Sequence, residues 1–192
     1  MPLRSIVCAV AVLLTSAVLA AEPPASAKPI AKPIAETASA TREALFAALA
    51  GVKTEPDARA IEDRIWAHWL RAPDHDSQLL LDQSIMAQQR LDYRSALMLL
   101  ARLIERAPGY SEGWNQRAIV LFLMGAYEES LEAIERTLAL EPKHFGALAG
   151  KGIILLGLGR DAAGQAALRD ALKIHPWLKE RGLLTDPPER KI

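Results

Sequence analysis

The chain has 192 residues, with 23 basic and 23 acidic side chains and a formal net charge of zero at pH 7. Because nucleic-acid binding depends on a clustered basic surface, this balance gives no support to a polyanionic partner. The single cysteine, Cys8, lies inside an apolar run near the start of the chain. Once that run is removed, we expect neither disulfides nor thiol chemistry.

Residues 1–21 have the pattern of a secretory signal peptide. A short basic start at Arg4 is followed by the uncharged apolar run Ser5–Ala21, which ends in small residues. We predict cleavage after Ala20 or Ala21 and a periplasmic or secreted mature protein. The alternative is an uncleaved inner-membrane anchor, since about 17 apolar residues are near the shortest length that spans a bilayer.

Residues 22–40 are rich in proline and alanine, with prolines at Pro23, Pro24, Pro29 and Pro33. This composition predicts an extended linker between the signal and the folded domain. The alternative is a docking motif for a polyproline-binding partner.

Residues 41–74 are predicted to form a helical hairpin. The first helix ends near Lys53, and Thr54 can cap the second, with Pro56 in its first turn and Asp57 three residues on. An apolar stripe follows at helical spacing, made of Ile61, Ile65, Trp66, Trp69 and Leu70. No alternating run of β-branched residues follows the signal, so the domain is predicted to be all-helical.

Three prolines, Pro108, Pro142 and Pro176, lie 34 residues apart, and the sequence pattern between them repeats. That period is the length of one helix–turn–helix repeat. The units are 77–110, 111–144 and 145–176, with each proline at position 32.

The steric pattern of the units repeats with the period. Two positions, 8 and 20, hold only small side chains, which indicates a close approach of the two helices in each unit. Position 24 holds a large apolar side chain that can fill the gap between units. The residues are Ser84, Ala118 and Gly152 at position 8, Ala96, Ser130 and Gly164 at position 20, and Leu100, Ile134 and Leu168 at position 24.

The middle unit, with Trp114, Gly125 and Tyr127 at positions 4, 15 and 17, resembles a tetratricopeptide repeat. The resemblance implies an all-α, right-handed solenoid of antiparallel helix pairs. Residues 41–74 would be a degenerate fourth pair at its N-terminal end, and residues 177–192 a capping helix and tail. One departure is position 15 of the first unit, where Leu91 stands in place of glycine.

The resemblance also implies a partner-binding surface, because the first helix of each unit lines the concave face in that family. We expect an apolar stripe with a few amides that suits an extended or helical peptide. The alternative is that a helix over residues 57–71 folds across part of it. The expected contact residues are Gln78, Leu81, Ile85, Gln88, Asn115, Ile119, Phe122, Leu123, Ala149, Ile153 and Leu156.

The sequence gives little support to a metal site or to a catalytic site. His75 is interpreted as part of a loop cap rather than a metal ligand, because no second ligand has suitable spacing. His144 and His175 follow helix ends, where a cation is favourable. Since no phosphate loop or nucleophile elbow is present, we predict no catalytic residues, no metal and no cofactor. A hydrolase or metal site assembled across repeats is the alternative.

The sequence therefore predicts a non-enzymatic interaction module or adaptor in the bacterial periplasm. Its expected partner is another envelope protein or peptide, with no nucleic acid and no small-molecule substrate. The bacterial assignment rests on the signal and on the habit of the family. The alternative function is a membrane-anchored accessory subunit of an envelope assembly complex, for which the signal would remain uncleaved.

Overall fold

The computed structural model describes residues 42–185, which form eight α-helices and a short 3-10 helix, without a β-strand. This confirms the all-helical prediction. The predicted signal (1–21) and linker (22–40) lie outside the described residues. In chain order the α-helices are α1 (Arg42–Gly51), α2 (Glu55–Trp69), α3 (His75–Gln89), α4 (Tyr93–Arg106), α5 (Ser111–Leu123), α6 (Tyr127–Leu140), α7 (Phe145–Gly157) and α8 (Asp161–Ile174), and the 3-10 helix is Lys179–Leu183.

None of the helices within residues 42–185 combines the length and apolar character that crossing a bilayer requires.

Helix α2 begins where the sequence predicts. Thr54 is the N-cap, and its hydroxyl oxygen accepts a hydrogen bond from the backbone N–H of Asp57 at 3.4 Å. Helix α3 begins two residues before the predicted unit, because Asp74 caps it by accepting from the backbone N–H of Ser77 at 3.0 Å. His75 is therefore the first helical residue and not part of a loop cap.

The three repeat units are the helix pairs α3–α4, α5–α6 and α7–α8. The predicted close approach within each pair is confirmed most directly in the last unit. A Cβ added to Gly152 would lie 2.6 Å from Cγ of Leu168, and one added to Gly164 would lie 2.9 Å from the backbone nitrogen of Leu156. In the middle unit the Ser130 hydroxyl donates to the backbone carbonyl of α5 across the same gap, at 2.8 Å.

The N-terminal hairpin, α1 and α2, packs against the last unit, although it precedes the first unit in sequence. Phe46 and Ile65 of the hairpin share one core cluster with Phe145, Ala149 and Ala171 of the last unit. The expected arrangement as a degenerate pair stacked ahead of α3 therefore differs from the structure. The reason is the aromatic stripe of α2, which finds its partners at the start of α7.

The segment after α8 was predicted to be a short capping helix. It is a 3-10 helix over residues 179–183, and this helix itself contains no buried residue. Leu178, which is 5% exposed, and the partly buried Trp177 join the core cluster together with α1. The apolar surface of α8 is therefore covered by the N-terminal hairpin together with Trp177 and Leu178.

Candidate partner-binding groove

A cavity of about 860 Å³ lies between α2 and the front helices of the three units, α3, α5 and α7. Its walls are mostly apolar, and we call it the groove. Helix α2 contributes one wall through Trp66, Ala67 and Leu70, and the short segment after α8 closes one end. The front helices supply the opposite wall, which includes Ile85, Met86, Ile119, Phe122, Phe145, Ala149 and Ile153.

Six of the eleven residues expected from the sequence line the groove. They come from all three front helices and are Ile85, Asn115, Ile119, Phe122, Ala149 and Ile153. Four of these six have little exposed surface, since Asn115 is 3% exposed, Ala149 and Ile153 are each 4% exposed, and Phe122 is 6% exposed. Ile85 and Ile119 are half-buried and present more of their side chains to the groove.

The other five expected residues are placed elsewhere by the structure. Leu81 is completely buried in the core of the first unit. Gln78 fastens the loop before α3, since its side chain accepts from the backbone N–H of Ala72 at 2.9 Å. Gln88, Leu123 and Leu156 do not line the groove either, and Leu156 packs where α8 crosses α7.

Helix α2 was not expected as a permanent wall of the site, although its folding across the stripe was the stated alternative. It is held at the junction between the first two units, where the Tyr110 hydroxyl donates to the backbone carbonyl of Trp69 at 2.7 Å. Burial of that hydroxyl raises the pKa of Tyr110, and the nearby Glu112 and Asp82 carboxylates add to the rise. The hydroxyl therefore stays protonated and able to donate.

A second anchor for α2 lies at the junction between the second and third units. The indole of Trp69 stacks on the imidazole of His144, with ring centroids 3.9 Å apart. Trp66 stands edge-on to the same imidazole. Gly146 is needed beside it, because an added Cβ would lie 2.9 Å from Cη2 of Trp66.

A buried polar network supports this anchor. The Glu112 side chain is completely buried, and one carboxylate oxygen accepts from Gln116 at 2.7 Å and from Asn115 at 3.0 Å. The other oxygen lies 3.0 Å from Nε2 of His144. Because Nδ1 of His144 accepts the backbone N–H of Ala147, the proton sits on Nε2 and is donated to Glu112.

In the middle of α2, Glu62 forms the third anchor. Its carboxylate accepts from Arg59 at 2.7 Å, and Nε2 of His175 lies 3.2 Å away, although not well aligned for a hydrogen bond. Burial pushes the pKa of Glu62 upward, but the contacts with His175 and Arg59 outweigh it and hold the pKa below its usual 4.5. Glu62 therefore remains a carboxylate beneath the groove.

His144 and His175 were interpreted as cations near helix ends, and their surroundings in the structure are different. Both side chains are completely buried, and each faces a carboxylate from another helix. Glu112 and His144 lie 32 residues apart. They occupy positions 2 and 34 of the repeat, which lie close together where one unit joins the next. The 34-residue period could therefore have predicted that these two side chains meet.

Charged side chains also line the groove, among them Arg59, Glu62, Asp63 and Asp82. Among residues 42–185, no three His, Cys, Asp or Glu side chains converge in a way that could hold a metal ion. The described residues do leave one buried acceptor in the groove wall without a partner, the side-chain oxygen of Gln116. The arrangement can therefore bury apolar side chains and accept a hydrogen bond.

No protein-family model matches the chain. A TPR repeat-containing protein of Rhizobium etli is 34% identical over 132 residues, which is 69% of this chain and 65% of the relative. The chain therefore spans just under two thirds of that relative's length.

Two solved structures resemble the fold at low sequence identity. The crystal structure of the Sgt2 TPR domain from Aspergillus fumigatus covers 63% of this chain and 91% of that domain, with a TM-score of 0.51 and 18% identity. A structure of MamA AMB-1 covers 68% of this chain and 70% of that one, with a TM-score of 0.49 and 17% identity. With the repeat register and the helix pairs described above, the chain has the fold of a tetratricopeptide-repeat solenoid.

Proposed function

We propose that this protein is a non-enzymatic adaptor of the bacterial periplasm that binds a segment of another envelope protein in the groove. The observation that carries the proposal is the apolar groove wall, which takes side chains from the front helices of all three units. The tetratricopeptide-repeat fold supports the coarser statement that the protein works by binding other proteins. No catalytic residue, cofactor or nucleic acid is part of the proposal.

The shape of the groove favours an extended or helical chain segment over a compact molecule. Ile85, Ile119 and Ile153 stand one on each front helix and at the same position of the three units. A row of this kind suits apolar side chains that recur along a peptide. The volume of the groove is also within the range of small-molecule pockets, about 300–1,000 Å³. The support for a peptide therefore comes from the row of three isoleucines and not from the volume.

The partner segment would also need one well-placed hydrogen-bond donor. The side-chain oxygen of Gln116 is buried and has no partner within residues 42–185. A backbone N–H of the bound segment that reaches this oxygen would satisfy it, which favours a correctly registered segment over a slipped one. Asn115 is not available for this purpose through its amide nitrogen, because that group donates to Glu112.

The proposed location rests on the predicted signal, with an inner-membrane accessory subunit of an envelope assembly complex as the second candidate. That candidate is favoured by the length of the apolar run Ser5–Ala21. Cell fractionation with N-terminal sequencing separates the two. A soluble periplasmic chain that starts at Ala21 or Glu22 supports the adaptor, and a membrane-bound chain with Met1 intact supports the anchor.

Site-specific photocrosslinking in cells tests the groove itself. A photoreactive amino acid is placed at Ile119 in the groove or at Leu158, which is 37% exposed at the turn between α7 and α8. We expect a discrete crosslinked protein from position 119 and none from position 158. Phe122 is unsuitable, because it packs in the core of the middle unit and a polar substitution there would unfold the protein.

A matched pair of charge substitutions completes the test. With the photoreactive group held at position 85, Ile119→Asp should abolish the crosslink, while Leu158→Asp should leave it unchanged. Circular dichroism melting checks that both variants remain folded. Equal crosslinking in the two variants, or equal labelling from positions 119 and 158, would show that the groove is not the binding surface.

A further inference from the structure

The first repeat unit exposes two apolar side chains whose counterparts in the other units are buried. Leu79 and Met86 occupy positions 3 and 10 of their unit, and each is 49% exposed. Met86 also lines the groove, so Leu79 is the exposed side chain that belongs to the end of the stack alone. At position 10 of the next two units, Val120 is completely buried and Ile154 is 3% exposed. At position 3, Ala147 of the last unit is 1% exposed.

The cause of this difference is the stacking order of the helices. Positions 3 and 10 of α5 and α7 pack against the second helix of the preceding unit. For example, a Cβ added to Gly113 would lie 3.4 Å from Cδ2 of Leu103 in α4. No helix within residues 42–185 occupies the corresponding place beside α3, because the N-terminal hairpin packs on the last unit. In the first unit, the positions that contact a preceding unit elsewhere in the stack are therefore left exposed.

We call this face the open end and define it by Leu79 and Gln83 of α3 with Arg102 and Glu105 of α4. A shallow depression lies between the two helices here, and its lining includes Leu79, Gln83, Arg102 and Glu105. The charged side chains form a self-complementary pair of one base and one acid. Among residues 42–185 neither Arg102 nor Glu105 forms an ion pair, whereas the neighbouring Arg106 is paired with Asp74 and Asp76.

The other end of the stack does not present a matching apolar surface to the open end of a second copy. It is covered by α1 together with Trp177 and Leu178. A head-to-tail chain of copies would have to displace this cover, whereas no helix within residues 42–185 covers the open end. Pairing like with like gives an isologous contact with two-fold symmetry, in which residue i of one copy meets residue j of the other and the reverse.

We propose that two copies of this chain associate through their open ends as a two-fold symmetric dimer. Leu79 of each copy is buried in the contact. The α4 helices cross so that Arg102 of one copy pairs with Glu105 of the other, and the symmetry makes this pair twice. None of the residues that define the open end lines the groove, so a failure of the dimer leaves the proposed partner binding untouched.

Sedimentation velocity on the purified full chain tests the dimer, with a charge-reversal series as the decisive comparison. Arg102→Glu places acid against acid twice, and Glu105→Arg places base against base twice. We expect each single variant to weaken the dimer by at least about tenfold in Kd, because like charges face each other. The double variant restores opposite charges at both places and should return to within a few-fold of the wild type.

Leu79→Glu supplies an independent test of the apolar part of the contact, with Leu158→Glu as its control. Leu79→Glu should give a monomer, and Leu158→Glu, which is also on an exposed leucine, should leave the dimer intact. Circular dichroism melting verifies folding. A wild-type chain that stays monomeric at micromolar concentration overturns the dimer. A double charge variant as weak as the single variants overturns the proposed pairing of Arg102 with Glu105.

Discussion

The indole of Trp69 lies almost parallel to the imidazole of His144, with an interplanar angle of 6° and a centroid separation of 3.9 Å. The imidazole is fixed on both sides, since one ring nitrogen accepts from the backbone of α7 and the other faces Glu112. The stack therefore joins α2 to a rigid junction between two repeat units. The position of one groove wall depends on this contact.

Removal of the Trp69 side chain should release α2 from the repeats. Trp69 is 4% exposed, so Trp69→Ala should lower the free energy of unfolding by about 3–5 kcal/mol. Hydrogen exchange should become faster in α2 than in α5 and α6. Trp114→Ala, at a half-buried tryptophan of the middle unit, should cost only about 1–2 kcal/mol. Equal losses for the two variants would contradict the anchoring role of Trp69.

Glu112 should be far more important for stability than a surface carboxylate. Glu112→Ala leaves the buried donors of Asn115, Gln116 and His144 without their acceptor, which should cost about 3–5 kcal/mol. Glu128 is the control, because it pairs with Arg160 with more than half of its side chain exposed. Glu128→Ala should cost less than about 1 kcal/mol. Urea unfolding followed by circular dichroism measures both, and similar losses would argue against the network.

Acid should weaken the attachment of α2 through Glu62. Burial alone would raise the pKa of Glu62. The contacts with His175 and Arg59 outweigh burial, so the pKa in the folded protein is below the usual 4.5. The stabilisation is therefore complete above the unfolded-state pKa and is lost as the pH falls through the folded-state value. The free energy of unfolding should decline below about pH 5, and it should decline less steeply in Glu62→Gln, which cannot ionise.

A second carboxylate extends the same decline to lower pH. The backbone N–H and the hydroxyl of Ser77, with Arg106, hold the pKa of Asp74 at about 2, below its usual 3.8. The stabilisation from this helix cap should persist at pH values where that from Glu62 is fading. Urea titrations of wild type, Glu62→Gln and Asp74→Asn across this range test the order. If the pH dependence of the unfolding free energy is unchanged in Glu62→Gln, Glu62 does not contribute to the loss of stability in acid.

Two glycines in the last unit should respond to alanine in opposite directions. A Cβ at Gly164 would lie 2.9 Å from the backbone nitrogen of Leu156 and 3.0 Å from the carbonyl oxygen of Gly152. Because backbone atoms cannot move aside cheaply, Gly164→Ala should cost about 1–3 kcal/mol. At Gly150 the nearest atom is Cδ1 of Ile134, 3.8 Å away. Gly150→Ala should therefore stabilise the helix by about 0.5–1 kcal/mol. Thermal melts that change in the same direction would contradict this packing.

The helix pairs were predictable from the sequence because their determinants are local and repeat every 34 residues. Small side chains at Gly152 and Gly164, for example, report a helix crossing within one unit. The folding of α2 across the stripe was expected only as an alternative, because it depends on contacts such as Trp69 with His144, between segments with no shared register. The groove was predicted from one side only for the same reason. Its front-helix wall follows from the period, whereas its α2 wall follows from that tertiary contact.

Leu91 should be the simplest position at which to stabilise the protein. It has a φ of 62°, and its counterparts at position 15 of the other two units are Gly125 and Gly159, with φ values of 78° and 73°. The left-handed conformation costs a residue with a Cβ about 1–2 kcal/mol, whereas glycine adds about 0.5–1 kcal/mol of unfolded-state entropy. Since Leu91 is 71% exposed, little burial is lost, and Leu91→Gly should gain up to about 1 kcal/mol in unfolding free energy. Leu91→Ala keeps the Cβ and should change little, so equal gains in the two variants would mean that backbone strain is not the cause.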